Sequence, residues 1–311
     1  MKSLPRVTVL MRCKNSDWVI AQALAGLFAQ TYTDFELLVV DSGSTDKTLD
    51  IVSSYPCRLE KIPPQNYYPG AVLNQAIEGI STELVVFLNS DCVPLAPETL
   101  GRLVAAFDDP TVMAAFGRQL PRPEADAWVR RDYAEAFPAS GDAPPWITFS
   151  LPIAGFRHAA WEQRKFYTDA WGSEDTDWGR WARQQPGWKV VYVPDAITMH
   201  SHNYTLRQLY GRRFIEGEAD AFIYRDQDSL SKMLKRAVVS TARDIFYHLR
   251  HQDGLNAMVT APARRAVYQW AYYKGHQHGE KRIAEQDTDV SFGQKVVLAR
   301  HESNRESMRS L

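Results

Sequence analysis

The sequence is short of the features that usually settle a protein's class early. Its 311 residues include three cysteines, Cys13, Cys57 and Cys92. They are odd in number and scattered, so they make neither a disulfide framework nor a metal-binding spacing, and a reducing cytoplasm is the expected compartment. No apolar run approaches the ~20 residues needed to span a bilayer. The N-terminus has Lys2 and Arg6 but lacks the long apolar stretch and small-residue cleavage site of a signal peptide. Neither charge is in surplus: 36 Lys+Arg stand against 37 Asp+Glu, which removes a whole-chain case for a nucleic-acid partner. No GxGxxG follows a strand pattern and no GxxxxGKS/T occurs, which disfavours a dinucleotide oxidoreductase and a P-loop nucleotidase.

What is present is an ordinary globular composition, 45% apolar and 23% charged. Within it lies an asymmetry. Residues 1–204 hold 18 Lys+Arg and 24 Asp+Glu, whereas residues 205–311 hold 18 and 13. An acidic body is followed by a basic region.

The first half alternates strand and helix patterns. Residues 6–11 (RVTVLM), 35–40 (FELLVV), 58–62 and 84–88 (LVVFL) read as strands, the apolar runs as buried ones. Between them, Asn15 or Ser16 is expected to cap a helix carrying Trp18, Ile20, Leu24, Leu27 and Phe28. Leu49 and Val52 mark a short helix, and residues 70–80 another. This βαβαβαβ opening implies a mostly parallel sheet covered on both faces. Residues 112–116 and 188–193 read as further strands, Pro194-Asp195 as a turn, and residues 197–202 as a short strand ending in histidines. Residues 118–142 form a long polar stretch of the kind that is functional or mobile.

Ligands of such sheets sit outside the carboxyl ends of the strands, and four polar constellations fall at or near those places. Asp41 follows FELLVV and opens Asp41-Ser42-Gly43-Ser44-Thr45-Asp46. Its ionised carboxylate is a pure acceptor, suited to a ribose hydroxyl or a base N–H, and equally to a capping turn. Asn89-Ser90-Asp91 follows LVVFL, and Asp91 is placed to bind a hard divalent cation together with a diphosphate. Glu174, Asp175 and Asp177 are three carboxylates within four residues, flanked by Trp171 and Trp178. Such crowding raises at least one pKa and suits a general base, although acidic residues also favour a helix N-terminus. His200 and His202, two apart on an extended segment, point to one side and permit metal ligation. Arg12 and Asn15 stand at the end of the first strand.

Taken together and in this order, these segments resemble the family 2 glycosyltransferases of the GT-A fold over about residues 5–215. The stretch VTVLMRCKNSDWVIAQALAGLFAQTYTDFELLVVDSGSTDKTLDIV is the most specific. The Arg12-Cys13-Lys14-Asn15 start, Trp178 after the acid pair and the HSHNYT segment look most like the bacterial rhamnosyltransferase branch. The resemblance implies a GT-A domain at residues 1–215 and leaves 216–311 as a helical extension. It implies an inverting sugar transfer from a nucleoside-diphosphate sugar, a dTDP- or UDP-sugar, to a glycan, lipid-linked or small-molecule hydroxyl in polysaccharide synthesis. Asp41 and Ser42 would then contact the nucleotide, and Asn89-Ser90-Asp91 would occupy the place of the DXD motif. Asp91 and His200 would hold Mg²⁺ or Mn²⁺. Glu174-Asp175 would be the family's acid pair, with Asp175 the general base. The chain departs from the pattern at Asn89, which replaces the first DXD carboxylate with a neutral carbonyl.

Further candidates for the donor site are Arg12, Asn15, Asn74, Ser90, Arg157 and Trp178, with Tyr67 and Tyr68 lining a nucleotide pocket or covering a loop. For Trp171 and Trp178, stacking on a sugar and packing in the core are both open. Two rival functions stay in view: a sugar-nucleotide nucleotidyltransferase and a non-catalytic carbohydrate-binding protein. In the basic region, residues 231–251 read as an amphipathic helix with Leu234, Val238, Ala242, Ile245 and Leu249 in phase. It is expected to pack on the catalytic domain, to join two copies, or to lie on the anionic inner face of a membrane. Residues 299–311 are expected to fray.

Overall fold

The computed structural model describes residues 6–293, 295 and 296; the expected fraying of 299–311 lies outside them. The chain divides into two compact units. The first comprises residues up to Pro123, Tyr133–Phe166 and Glu174–Ser201, and the second comprises Glu124–Asp132, Tyr167–Ser173 and the residues from His202 on.

The first unit is built on one eight-stranded sheet. Its strands are β1 (Val7–Cys13), β2 (Phe35–Asp41), β3 (Arg58–Lys61), β4 (Leu84–Leu88), β5 (Val93–Pro94), β6 (Val112–Leu120), β7 (Ile153–Arg157) and β8 (Lys189–Met199), in the order β3-β2-β1-β4-β7-β6-β8-β5. β3, β2, β1 and β4 run parallel, as the alternating pattern requires. β7 is inserted antiparallel between β4 and β6, and β8 is again parallel to β6. The sheet is therefore mixed. The carboxyl ends of β4, β6 and β8 share one edge with the start of β7, while the far end of β7 lies at the opposite edge: Ile153 pairs with Leu88, and Arg157 with Leu84.

Successive residues of a strand face opposite ways, and here both faces are buried. Val7, Val9, Met11, Val39, Val86 and Leu88 pack on one side with α1 (Ile20–Phe28) and Leu100, Leu103 and Val104 of α4 (Thr99–Ala105). Leu10, Leu38, Val40, Val85 and Phe87 pack on the other with Val72, Leu73, Ala76 and Ile77. Those four lie on α3 (Pro69–Glu78), and α2 (Thr48–Val52) precedes it in the chain. α1 begins later than expected, after Val19 and without a side-chain cap, so Trp18 lies outside it. Asn15 has φ 49° and lies in the loop before it.

Residues 188–202 were expected to make two strands with a turn at Pro194. They make one long β8, whose register against β6 jumps between Val193 and Ile197. The bulge takes up Pro194-Asp195-Ala196 and brings the Ala196 carbonyl against Gly117, where a Cβ would sit 2.4 Å from that oxygen. Two short helices complete the unit, α6 (His158–Gln163) and α7 (Glu174–Ala182). α5 (Ala127–Ala136) contributes residues to both units.

The second unit is helical, with α8 (Leu206–Tyr224), α9 (Leu230–His251) and α10 (Leu255–Glu285). Thr205 closes a capping box with Gln208 at the start of α8. α8 and α10 approach closely through glycine: a Cβ on Gly275 would lie 1.9 Å from the Phe214 carbonyl, and one on Gly217 2.1 Å from that of Tyr272. This packing keeps α8 whole, and the last stretch of the second unit runs from His202; the sequence expectation was a helical extension from residue 216. Buried ion pairs fill its interior. Arg282 donates to Glu218 at 2.8 Å, and Arg265 and Arg131 both reach Asp244. Among the described residues no helix is long and apolar enough to cross a membrane.

Candidate active site

The loops that leave β1, β2 and β4 at their carboxyl ends are sewn together. Asn15 accepts the Thr45 N–H at 2.8 Å and donates its own N–H to Ser44 Oγ at 2.9 Å. The Ser16 N–H donates to Thr48 Oγ1 at 2.7 Å, and the Ser16 and Ser90 hydroxyls share a 2.9 Å bond. Asp41, 1% exposed, lies beneath this network. Its carboxylate accepts the N–H groups of Gly43 (2.9 Å) and Ser44 (3.0 Å) and the Ser44 hydroxyl (2.5 Å). Gly43, at φ 86°, makes that turn. Asp41 thus holds the shape of the Ser42–Ser44 turn, in which Ser42 is buried and its hydroxyl donates to the Cys13 carbonyl at 3.3 Å.

A carboxylate group stands beside this edge. Arg12, from the end of β1, donates to Glu174 in the first turn of α7 at 3.2 Å. Burial acts against the guanidinium, but Tyr67, Glu174 and Asp175 outweigh it and raise its pKa. Asp175 is half-buried and accepts the N–H groups of Leu151 (3.2 Å) and Thr176 (2.8 Å). Burial first, and the neighbouring Glu174 second, push its pKa up to about 6 against those hydrogen bonds and Arg12. The crowding read from the sequence therefore resolves into one paired acid, Glu174, and one acid poised near neutrality, Asp175. The third, Asp177, is bound to Arg164 at 2.7 Å.

The end of β8 supplies an imidazole. His200 Nε2 faces Asp91 Oδ1 at 3.7 Å. Its Nδ1 lies 2.8 Å from Gln119 Oε1 and 3.2 Å from the Tyr133 hydroxyl. The Gln119 amide also meets Ser150 Oγ at 2.9 Å, and with the proton on Nδ1 the Nε2 lone pair would face Asp91. A carboxylate oxygen and an imidazole lone pair set face to face are a donor set for a divalent cation. Two such protein ligands would suit a hard divalent cation that keeps open positions for other oxygen ligands. Cys92 Sγ lies in the same cluster, within 4.8 Å. Burial raises its pKa well above the usual thiol value, so it stays a neutral thiol in the core. Arg122 completes the edge. It is 7% exposed, donates Nη2 to the Asp91 carbonyl at 2.7 Å, and lies 4.8 Å from the Trp18 ring centroid.

Three expected donor-site residues lie elsewhere. Arg157 is at the opposite edge, because β7 runs antiparallel; its guanidinium is bound to Glu83 and the carbonyls of Val112 and Phe107. Asn74 uses both ends of its amide on the 161–166 segment, donating to the Phe166 carbonyl and accepting from the Trp161 indole and the Phe166 N–H. Trp178 is wholly buried, donates to the Arg164 carbonyl, and packs against Phe149, Phe156 and Phe166. Trp171 is buried as well. Gln119, Tyr133 and Arg122 had not been singled out. Gln119 was findable as the continuation of β6; nothing near Tyr133 in the chain points to His200.

A mixed sheet flanked by helices, with an acid pair and a carboxylate–imidazole pair at its carboxyl edge, defines the GT-A class of sugar transferases. The model of glycosyl transferase family 2 matches residues 8–169, and the chain belongs to that family. Among its relatives, the O-antigen chain rhamnosyltransferase RfbN of Salmonella typhimurium is 25% identical over 68% of this chain and 71% of its own length. The O-antigen chain rhamnosyltransferase WbaN of Salmonella anatum is 31% identical over 60% of this chain and 63% of its own. In fold, the chain resembles the mannosyltransferase PcManGT of Pyrobaculum calidifontis, solved with GDP-Man and Mn²⁺. That likeness has a TM-score of 0.57 at 21% identity and covers 97% of this chain and 88% of the other. TarS of Staphylococcus aureus aligns with a TM-score of 0.52 at 18% identity, over 86% of this chain and 55% of TarS.

Proposed function

We propose that this glycosyltransferase moves a sugar, rhamnose first among the candidates, from a nucleoside-diphosphate sugar to an acceptor hydroxyl, with inversion at the anomeric carbon. The acceptor is read as a glycan or a lipid-linked glycan of a cell-surface polysaccharide, and the place of action as the cytoplasm, where nucleotide sugars are made. Asp175 is the observation on which the reading rests: a half-buried carboxylate, raised to about 6, that shares its edge with Arg12 and Glu174.

In the reaction Asp175 takes the proton of the acceptor hydroxyl as that oxygen bonds to the anomeric carbon. The bond from this carbon to the diphosphate breaks on the other face, and the nucleoside diphosphate leaves with the electron pair. Arg12 and Glu174 keep Asp175 in place. The nucleotide lies against the Asp41–Ser44 turn, which Ser90 and Asn15 hold in register with β4. Asp91 and His200 would hold Mg²⁺ or Mn²⁺, which as a Lewis acid stabilises charge on the leaving diphosphate. Arg122 adds a fixed positive charge against the Asp91 backbone.

The test is incubation with dTDP- and UDP-sugars, Mn²⁺ and glycan acceptors, reading nucleoside-diphosphate release and product anomer. Release of nucleoside diphosphate with acceptor-dependent inversion is expected. Pyrophosphate release would favour a nucleotidyltransferase, and sugar binding without turnover a non-catalytic role.

A further inference from the structure

The large apolar side chains left exposed are not spread evenly over the molecule. Among the described residues there are sixteen, and nine of them lie between Leu230 and Trp270. This region is the α9–α10 hairpin, joined by Gln252-Asp253-Gly254 with Gln252 and Gly254 at positive φ. α9 turns Met233, Asp244 and His248 inward. Its other face carries Leu234, Val238, Phe246 and Leu249, and the start of α10 continues it with Leu255 and Val259. These six are between 54% and 72% exposed. Isolated exposed apolar residues are normal; a run of them at helical spacing around one hairpin end marks an interaction surface.

Charge tells what the surface meets. Residues 230–279 hold eight Lys+Arg and two acids, Asp244 and Asp253. Asp244 is 0% exposed and bound by Arg265 and Arg131; Asp253 is bound by Arg130 and His248. The hairpin thus offers no free carboxylate. Lys232, Lys235, Arg243 and Arg250 stand exposed beside the apolar face, and among the described residues none of the four pairs with an acid. A second copy docked on this face would set those cations against one another. A polyanion without an apolar phase would leave Phe246, Leu249, Leu255 and Val259 in water. An anionic bilayer satisfies both features: cations at the headgroups and apolar side chains in the acyl boundary.

We propose that the α9–α10 hairpin is a membrane-contact surface for anionic lipid, with α9 lying in the interface plane and Phe246, Leu249, Leu255 and Val259 inserted. The inference is independent of the transferase reading. The test floats the full chain with vesicles of phosphatidylcholine alone and of phosphatidylcholine with phosphatidylglycerol. Wild type is expected to float with the anionic vesicles only, and less as salt rises. Phe246→Glu/Leu249→Glu is expected to abolish flotation and Lys235→Glu/Arg243→Glu to weaken it by about tenfold or more. Both pairs change exposed positions, so circular dichroism and melting temperature should match wild type. No flotation of wild type, equal flotation with neutral vesicles, or undiminished flotation of the Phe246/Leu249 variant would each overturn the proposal. So would a dimer seen by light scattering that the same variant dissolves while vesicle binding persists.

Discussion

Asp175 shows how one side chain can be set for a proton transfer by its surroundings. Burial and Glu174 raise its pKa to about 6, and two backbone N–H groups and Arg12 hold it from going further. A base must be ionised, so the rate of transfer should rise with pH through about 6. Asp175→Asn should remove that acid limb and lower the rate by ~10²–10⁴-fold; the pH profile of kcat/KM for both proteins checks this. Stability should move the other way. The folded protein holds the Asp175 proton at pH values where the unfolded chain, with an ordinary carboxylate of 3.8, has released it. This residue's contribution therefore falls as pH rises between about 4 and about 6. The cluster was legible in the sequence because three carboxylates in four residues are electrostatically crowded. Which of them stays unpaired was not, since Arg12 and Arg164 reach Glu174 and Asp177 from elsewhere in the chain.

At the scale of elements, strand direction decides what an end residue does. Arg157 was expected to touch the diphosphate or the acceptor because it lies where the family's donor-sugar strand enters. That strand enters antiparallel, and Arg157 instead ties β7 to the carbonyls of Val112 and Phe107. Arg157→Ala should leave nucleoside-diphosphate affinity unchanged and lower stability by about 1.5–3 kcal/mol, read by calorimetric titration and urea unfolding. In the helical unit the close pair is α8 and α10. Gly275→Ala would drive a Cβ into the Phe214 carbonyl, 1.9 Å away. A loss of about 3 kcal/mol, at the upper end of overpacking costs, is expected in the unfolding midpoint. Neither helix is legible in apolar spacing; in this region only α9 is, and the family resemblance implies no more than a helical extension. Their contact is not legible either, because a glycine in a helix gives no local sign of what packs against it.

At the scale of the whole molecule, a near-neutral chain separates into an acidic sheet unit and a basic helical region, and four acids of the first, Asp41, Asp91, Glu174 and Asp175, stand at or beside one edge. If Asp91 and His200 hold a cation that also takes a diphosphate, metal and nucleotide should bind together. A nucleoside diphosphate with Mn²⁺ at about 100 times its Kd should stabilise the fold by ~2.7 kcal/mol. Asp91→Ala should remove most of that shift in melting temperature, and His200→Ala should reduce it. A shift that is the same without Mn²⁺ would count against the pair.

The sequence by itself determined the strand–helix alternation, the parallel, doubly covered character of the opening sheet, the polar residues at its carboxyl edge and the amphipathic character of α9. These follow from side-chain periodicity over neighbouring residues, which is written locally in the chain. The tertiary structure alone decided the direction of β7, the burial of Trp178, the engagement of Asn74 by the 161–166 segment and the meeting of Gln119 with His200. It also decided that the apolar face of α9 stays uncovered. Each of these depends on partners tens of residues away, and no local pattern encodes such a contact.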